Sequence, residues 1–202
     1  GGGLPGVGLQ HPVDKIYRSL KVRSVGGADS MHEFMDKLGQ VPLLYQPGTR
    51  WMYSLSTDIC GALVEIISGK PFAQFLKEEI FEPLGMVDTA FQVAPDKIDR
   101  FCANYQRGPD KKLKLIDDPA DSDFTREPGF KSGGGGLTGT IADYGRFTDM
   151  LRRGGELDGH RILGPRTLEM MHMNHLPGGH DLTQLAIGAF SETSNEGVGF
   201  GL

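Results

Sequence analysis

The sequence predicts a mainly α chain with small β pieces, and three observations lead there. Apolar residues recur at intervals of three and four in several segments, each bounded by a capping residue and a glycine or proline. The stretch from 88 to 130 loses that spacing and offers only short strand candidates between charged turns. No internal repeat and no clear linker divides the 202 residues, so one helical body with small strands accounts for the whole pattern.

The elements follow in chain order. Residues 1–10 are glycine-rich and read as loop. Pro12 suits a first helical turn, and Val13, Ile16 and Leu20 continue at helical spacing. Ser30 and Glu33 form an S-x-x-E capping pattern ahead of an apolar face of Met31, Phe34, Met35 and Leu38, with Gly39 as the stop; this predicts a helix over 31–38. Then "VPLLYQPGTRW" reads as extended, with a turn at Pro47-Gly48. Leu55, Ile59, Ala62, Leu63, Ile66 and Ile67 predict one buried stripe on a helix over 55–68, ended by Gly69. Pro71 opens the next helix, over 72–81, with Phe72, Phe75, Leu76 and Ile80 on one side. The segments 89–93, 101–106 and 112–116 are the strand candidates. Thr140 and Asp143 cap a helix over 141–153 that ends at Gly154-Gly155. "ELDGHRIL" reads as a tight turn between short extended pieces, Pro165 starts a helix over 165–173, and 174–195 read as irregular. The closing "GVGFGL" reads as the start of a strand whose partners do not follow, and the sequence opens without methionine; a fragment is expected, with 1–202 forming one partial domain.

Composition narrows the function classes. A hydrophobic fraction of 38% suits a folded core. A net charge of −5 without any Lys/Arg block gives no electrostatic footprint for nucleic acid. The longest apolar run, Ile59 to Ile67, contains Glu65 and is too short for a membrane span. Cys60 and Cys102 lie far apart, form no C-x-x-C, and read as two reduced thiols or small buried residues. His172, His175 and His180 lack the H-E-x-x-H spacing and read as surface residues rather than metal ligands. The acidic run from Asp117 to Asp123 lacks the alternating order of a calcium loop and reads as solvated. The four glycines at 133–136 precede a helix but form no phosphate-loop motif; they read as a turn whose backbone passes close to something. No G-x-S-x-G elbow, S-x-x-K, K-T-G or H-T-G occurs, so the chain displays no activated nucleophile of its own.

Two blocks carry a more specific signal. Pro47-Gly48, Trp51, Tyr53-Ser54, Ile66-Ile67-Ser68-Gly69 and Pro83-Leu84-Gly85-Met86 follow the order P-G-x-x-[WF]-x-Y-S, I-x-x-x-S-G, P-L-G-M. Downstream, "SGGGGLTGTIADYGRFTDMLRRGGELDGHRILGPRTLEMM" supplies a glycine-rich turn, a capped helix and G-x-L-x-G-x-x-[IL]-L-[SG]-P. Together they resemble the middle of the serine hydrolases related to class C β-lactamases, penicillin-binding proteins and esterases of the same fold. The resemblance implies the helical portion of an α/β serine hydrolase whose S-x-x-K segment lies upstream and whose central sheet lies largely outside this chain. It implies a small-molecule ester or lactam substrate and no cofactor, since a serine mechanism supplies its own nucleophile and base.

The resemblance makes Tyr53 the proton-transfer residue. A phenol titrates near ~10 and is a poor base at neutral pH, but a neighbouring lysine cation favours the phenolate and lets it relay a proton from serine to leaving group. Without the resemblance, Tyr53 reads equally well as a packing phenol beside Trp51. Substrate-binding positions implied in the same way are Leu55, Gly134 and Gly135. Lactam-processing members commonly carry asparagine where this chain has Leu55, and leucine cannot hydrogen-bond a substrate amide. That difference favours an esterase, with a β-lactamase or DD-peptidase as the alternative and a non-catalytic binding or scaffold relative as a third reading.

Overall fold

The computed structural model describes residues 11–22, 30–186 and 196–201; the expected loop at 1–10 and part of the irregular 174–195 stretch fall outside these. The helices are α1 (Pro12–Ser19), α2 (Met31–Leu38), α3 (Ser56–Ser68), α4 (Phe72–Leu76), α5 (Ile141–Arg152), α6 (Pro165–Met171) and α7 (Leu182–Leu185). Among the described residues the strands form two antiparallel pairs: β1 (Asn104–Arg107) with β2 (Leu113–Asp117), and β3 (Glu156–Leu157) with β4 (His160–Arg161). The fold is mainly helical with only small sheets, as the spacing predicts.

Local chemistry explains most boundaries. Ser30 Oγ accepts from the Glu33 amide and opens α2. Thr140 Oγ1 accepts from the Asp143 amide and opens α5, while the Asp143 carboxylate turns outward to accept from the Asp88 amide and the Thr89 hydroxyl, tying α5 to a distant loop. Gly69 takes φ 69°, the left-handed conformation that ends α3 without steric cost. The β3–β4 hairpin turns through Asp158 and Gly159, both at positive φ, as Asp-Gly pairs do.

Several expectations need correction. The helix over 72–81 is not uniform: after Leu76 it widens into a π-helical turn, Lys77–Phe81. The 89–93 strand reduces to a single bridge between Ala90 and Thr138. Helix α7, opened by a reciprocal cap between Asp181 and Gln184, lies in a stretch read as irregular. Helix α3 starts at Ser56 rather than 55: Leu55 occupies the cap position without a side-chain bond, and the Ser54 hydroxyl pairs with Ser56 Oγ at 2.6 Å. The closing residues form no strand among those described, although the Val198 and Phe200 carbonyls accept from Leu182 and His175 amides.

The largest correction concerns the buried stripe of α3. Leu55 and Ala62 are buried, but so are Asp58 and Gly61, whereas Leu63 and Ile66 are exposed and Ile67 is 82% exposed. The helix has apolar residues on two faces, and spacing alone does not choose between them. Small residues decide: a glycine loop approaches so closely that Gly133 Cα lies 3.4 Å from where a Gly61 Cβ would stand. Leu55 and Ala62 join Val13, Tyr17, Val22, Met31, Phe34 and Phe130 in one core cluster, with the Phe34 and Phe130 rings stacked at 4.7 Å. A second cluster holds Phe81, Leu84, Met86, Met150 and Leu157 under α5.

One ion-pair group makes a pH-dependent contribution. Asp88 pairs with both guanidinium nitrogens of Arg100 and with Lys97 Nζ at 2.7 Å. The Arg100 bonds, then Lys97, hold its carboxyl at about 2, below the ordinary ~3.9. A depressed pKa in the folded state stabilises above the unfolded value and loses that stabilisation as pH falls from about 4 toward 2. Asp88→Asn is expected to melt earlier than the unsubstituted chain at pH 7, and the gap should narrow steadily as pH falls from about 4 toward 2. Thermal melts across that range decide it; a gap that stays constant or widens in acid contradicts the assignment.

Candidate active site

The irregular segment 43–54 and the first residues of α3, Ser56 and Thr57, form one wall of a cleft of about 470 Å³. Trp51 anchors this wall: its amide donates to the Leu185 carbonyl at 3.2 Å, its backbone bridges Ala186, and its indole leans on Phe200 with centroids 5.0 Å apart. Two residues on, Tyr53 lines the cleft with its ring about half exposed. Tyr45, Arg50 and Thr57 also face the space, and Gly133 and Gly134 close the opposite side.

The glycine side is held by a buried polar link. Asp58, 1% exposed, sits in the first turn of α3 and accepts from Ser132 Oγ at 2.5 Å. Ser132 Oγ in turn accepts from the Gly134 amide at 3.0 Å. A buried carboxylate is costly unless bonded, and this chain of bonds meets that need while fixing the loop against the helix. Gly133 allows the approach: a Cβ there would stand 2.1 Å from the Thr57 carbonyl oxygen. The amide of Gly134 is therefore spent inside the loop, and the residue offers the cleft its shape rather than its donor.

Of the four expected site residues, Tyr53 and Gly134 meet in this cleft. Leu55 does not: it is 5% exposed and packed in the core cluster, pointing away from the lining. Gly135 lies next to the loop but is not in the lining, and the space around it is open. Sequence reasoning did not find Asp58, Ser132, Thr57, Arg50 or Phe200. One signal was available for Asp58. It falls three residues after Leu55 and four before Ala62, and a carboxylate placed on an apolar helical face is worth tracing to its partner.

The other candidates resolve to surface chemistry. His175 Nε2 meets the Met170 carbonyl oxygen, and His180 Nδ1 meets Gln184 Oε1. Among the described residues no group of three or more His, Cys, Asp or Glu could hold a metal ion. Cys60 and Cys102 are free and exposed. No single described helix is long and apolar enough to cross a membrane. A second cleft, about 570 Å³ between α4 and α5, is walled by Ile80, Phe81, Phe147 and similar side chains and brings no charged group together.

Comparison with known proteins places these features in context. The family model described as Beta-lactamase matches residues 4–201. The Mycobacterium tuberculosis protein Rv1367c is 33% identical over 171 residues, which cover 85% of this chain and 41% of that protein. Esterase EstB of Burkholderia gladioli is 31% identical over 136 residues, covering 60% of this chain and 34% of EstB. Among solved structures, EstCE1, described as a hydrolase with promiscuous acyltransferase activity, superposes with a TM-score of 0.70 at 25% identity, covering 92% of this chain and 48% of its own. The chain thus spans less than half the length of each of these proteins.

Proposed function

Because the chain belongs to the beta-lactamase family, we propose that it is the part of a serine ester hydrolase that carries the proton-transfer tyrosine. The observation that carries this reading is Tyr53 on the wall of a cleft whose far side is the Gly133–Gly134 turn. In the parent protein a serine forms the acyl-enzyme, and the Tyr53 hydroxyl carries the proton between that serine and the leaving alcohol. The names of EstB and EstCE1 support an ester-cleaving or acyl-transferring chemistry. Position 55 supports ester over lactam, since Leu55 offers no amide and its side chain is committed to the core. The family description favours β-lactam hydrolysis as the second reading, because acylation of a serine is common to both.

Assays of the parent protein with p-nitrophenyl butyrate and with a chromogenic cephalosporin separate the two. Ester turnover abolished by a serine-reactive phosphonate supports the proposal, and faster lactam turnover replaces it with the second reading. The 202 residues alone are expected to be catalytically silent in the same assay, with heat-killed chain as control, because no serine has a lysine three residues after it. Robust phosphonate-sensitive turnover by the chain alone would reveal a nucleophile within it.

A further inference from the structure

Among the described residues that line the Tyr53 cleft one is charged, the exposed Arg50; the remainder are aromatic, aliphatic, hydroxyl, amide and glycine residues. Elsewhere Arg100, Arg126, Arg146, Arg152, Arg153 and Arg161 each sit against a carboxylate, while Arg18, Arg107 and Arg166 meet none among the described residues but line no part of this cleft. Arg50 meets no carboxylate among the described residues. Its backbone is not loose, because the next residue, Trp51, is pinned to Leu185 and Ala186. Asp58, the acid in the first turn of α3, is buried and already bonded to Ser132. An exposed cation thus lines an aromatic-walled cleft with no counter-ion among the described residues, in a chain whose net charge is −5.

A guanidinium presents a planar fork that matches a carboxylate in two parallel bonds, and it is more weakly hydrated than an ammonium. The cleft volume is within the ~300–1,000 Å³ typical of small-molecule sites. We propose that Arg50 reads a carboxylate on the ligand, so that the site takes esters whose acyl or alcohol part also carries an acid group a few bonds from the ester. This rests on the reading of the cleft as the ester site and narrows its substrate class. Ser132, Asp58 and Tyr53 shape or serve the reacting end; Arg50 sets which molecules arrive in register.

Trp51 is the only tryptophan and lines the same cleft, so its fluorescence reports occupancy without any catalysis. The chain is titrated with hexanoate and with hexanamide, its neutral counterpart. Hexanoate is expected to bind saturably and ~10-fold or more tighter than hexanamide, the usual scale of a charge-assisted bond. Arg50→Gln should bring hexanoate down to the hexanamide level, Arg50→Lys should keep part of the difference, and added salt should weaken hexanoate only. Circular dichroism checks that each variant folds; if Arg50→Gln does not, the hexanoate–hexanamide ratio and its salt dependence in the unsubstituted chain decide. Equal affinities, no saturable hexanoate binding, or undiminished binding by folded Arg50→Gln overturns the proposal. A parent protein that leaves both p-nitrophenyl butyrate and an acid-bearing ester, the p-nitrophenyl monoester of glutaric acid, intact would instead sink the ester reading and leave the anion result standing.

Discussion

Tyr53→Phe in the parent protein is expected to lower turnover by ~10²–10⁴, the usual contribution of a positioned proton-transfer group. The substitution removes one hydroxyl and keeps the ring on the cleft wall between the Trp51 anchor and the mouth of α3. Tyr53 is about half exposed, so no large packing term is at stake, and stability should change by about 1 kcal/mol or less. The matched control is Ser54→Ala. Its hydroxyl pairs with Ser56 at the surface, away from any backbone donor of the helix, and its loss should be mild in both turnover and melting. Steady-state assays and thermal melts on both variants make the comparison. Near-full kcat in Tyr53→Phe, or activity lost only through unfolding, would return Tyr53 to the role of a packing phenol.

Gly133→Ala is expected to destabilise the chain by at least about 2–3 kcal/mol, at the upper end of what overpacking costs. The added carbon would stand 2.1 Å from the Thr57 carbonyl oxygen and 3.1 Å from the Gly61 amide nitrogen, so it meets helix backbone rather than a side chain that can swing aside. Either the loop withdraws and the Ser132–Asp58 bond breaks, or the first turn of α3 unwinds; both leave the buried Asp58 carboxylate unpaired. Gly135→Ala is the control two residues away, with open space around it, and should fall within about 0.5 kcal/mol of the unsubstituted chain. Denaturant titrations of the two variants measure the difference. Identical midpoints for Gly133→Ala and the unsubstituted chain would mean that the loop does not approach the helix as closely as described.

What could be read from the sequence divides along the range of the interactions. Helix α2 starts and stops where Ser30 and Gly39 say it should, and α5 starts at Thr140, because capping is settled within four residues. The hairpins at 104–117 and 156–161 follow from local turn chemistry in the same way. The face of α3 that is buried was not legible, since Leu63, Ile66 and Ile67 are as apolar as Leu55 and the choice is made by a loop seventy-odd residues later (133 − 61 = 72). Leu55 was misplaced for the same reason. Tyr53 and Gly134 were joined only by resemblance to a family; no spacing rule brings residues that far apart into one cleft. Asp58 was legible in principle, as a charge on an apolar stripe, and was passed over because the stripe itself was drawn one face too far round.

The pinning of Trp51 to Leu185, with Phe200 leaning on the indole, has a consequence for synthesis of the protein. The wall that carries Tyr53 is fastened by residues made more than a hundred positions later, and closing such long loops costs chain entropy before any contact repays it. The cluster around α1 to α3 can gather its own residues first, apart from Phe130, while the cleft must wait. A truncated chain ending before Leu185 would keep the Gly133–Gly134 side of the cleft but lose the backbone partner of Trp51, leaving the Tyr53 wall without its anchor.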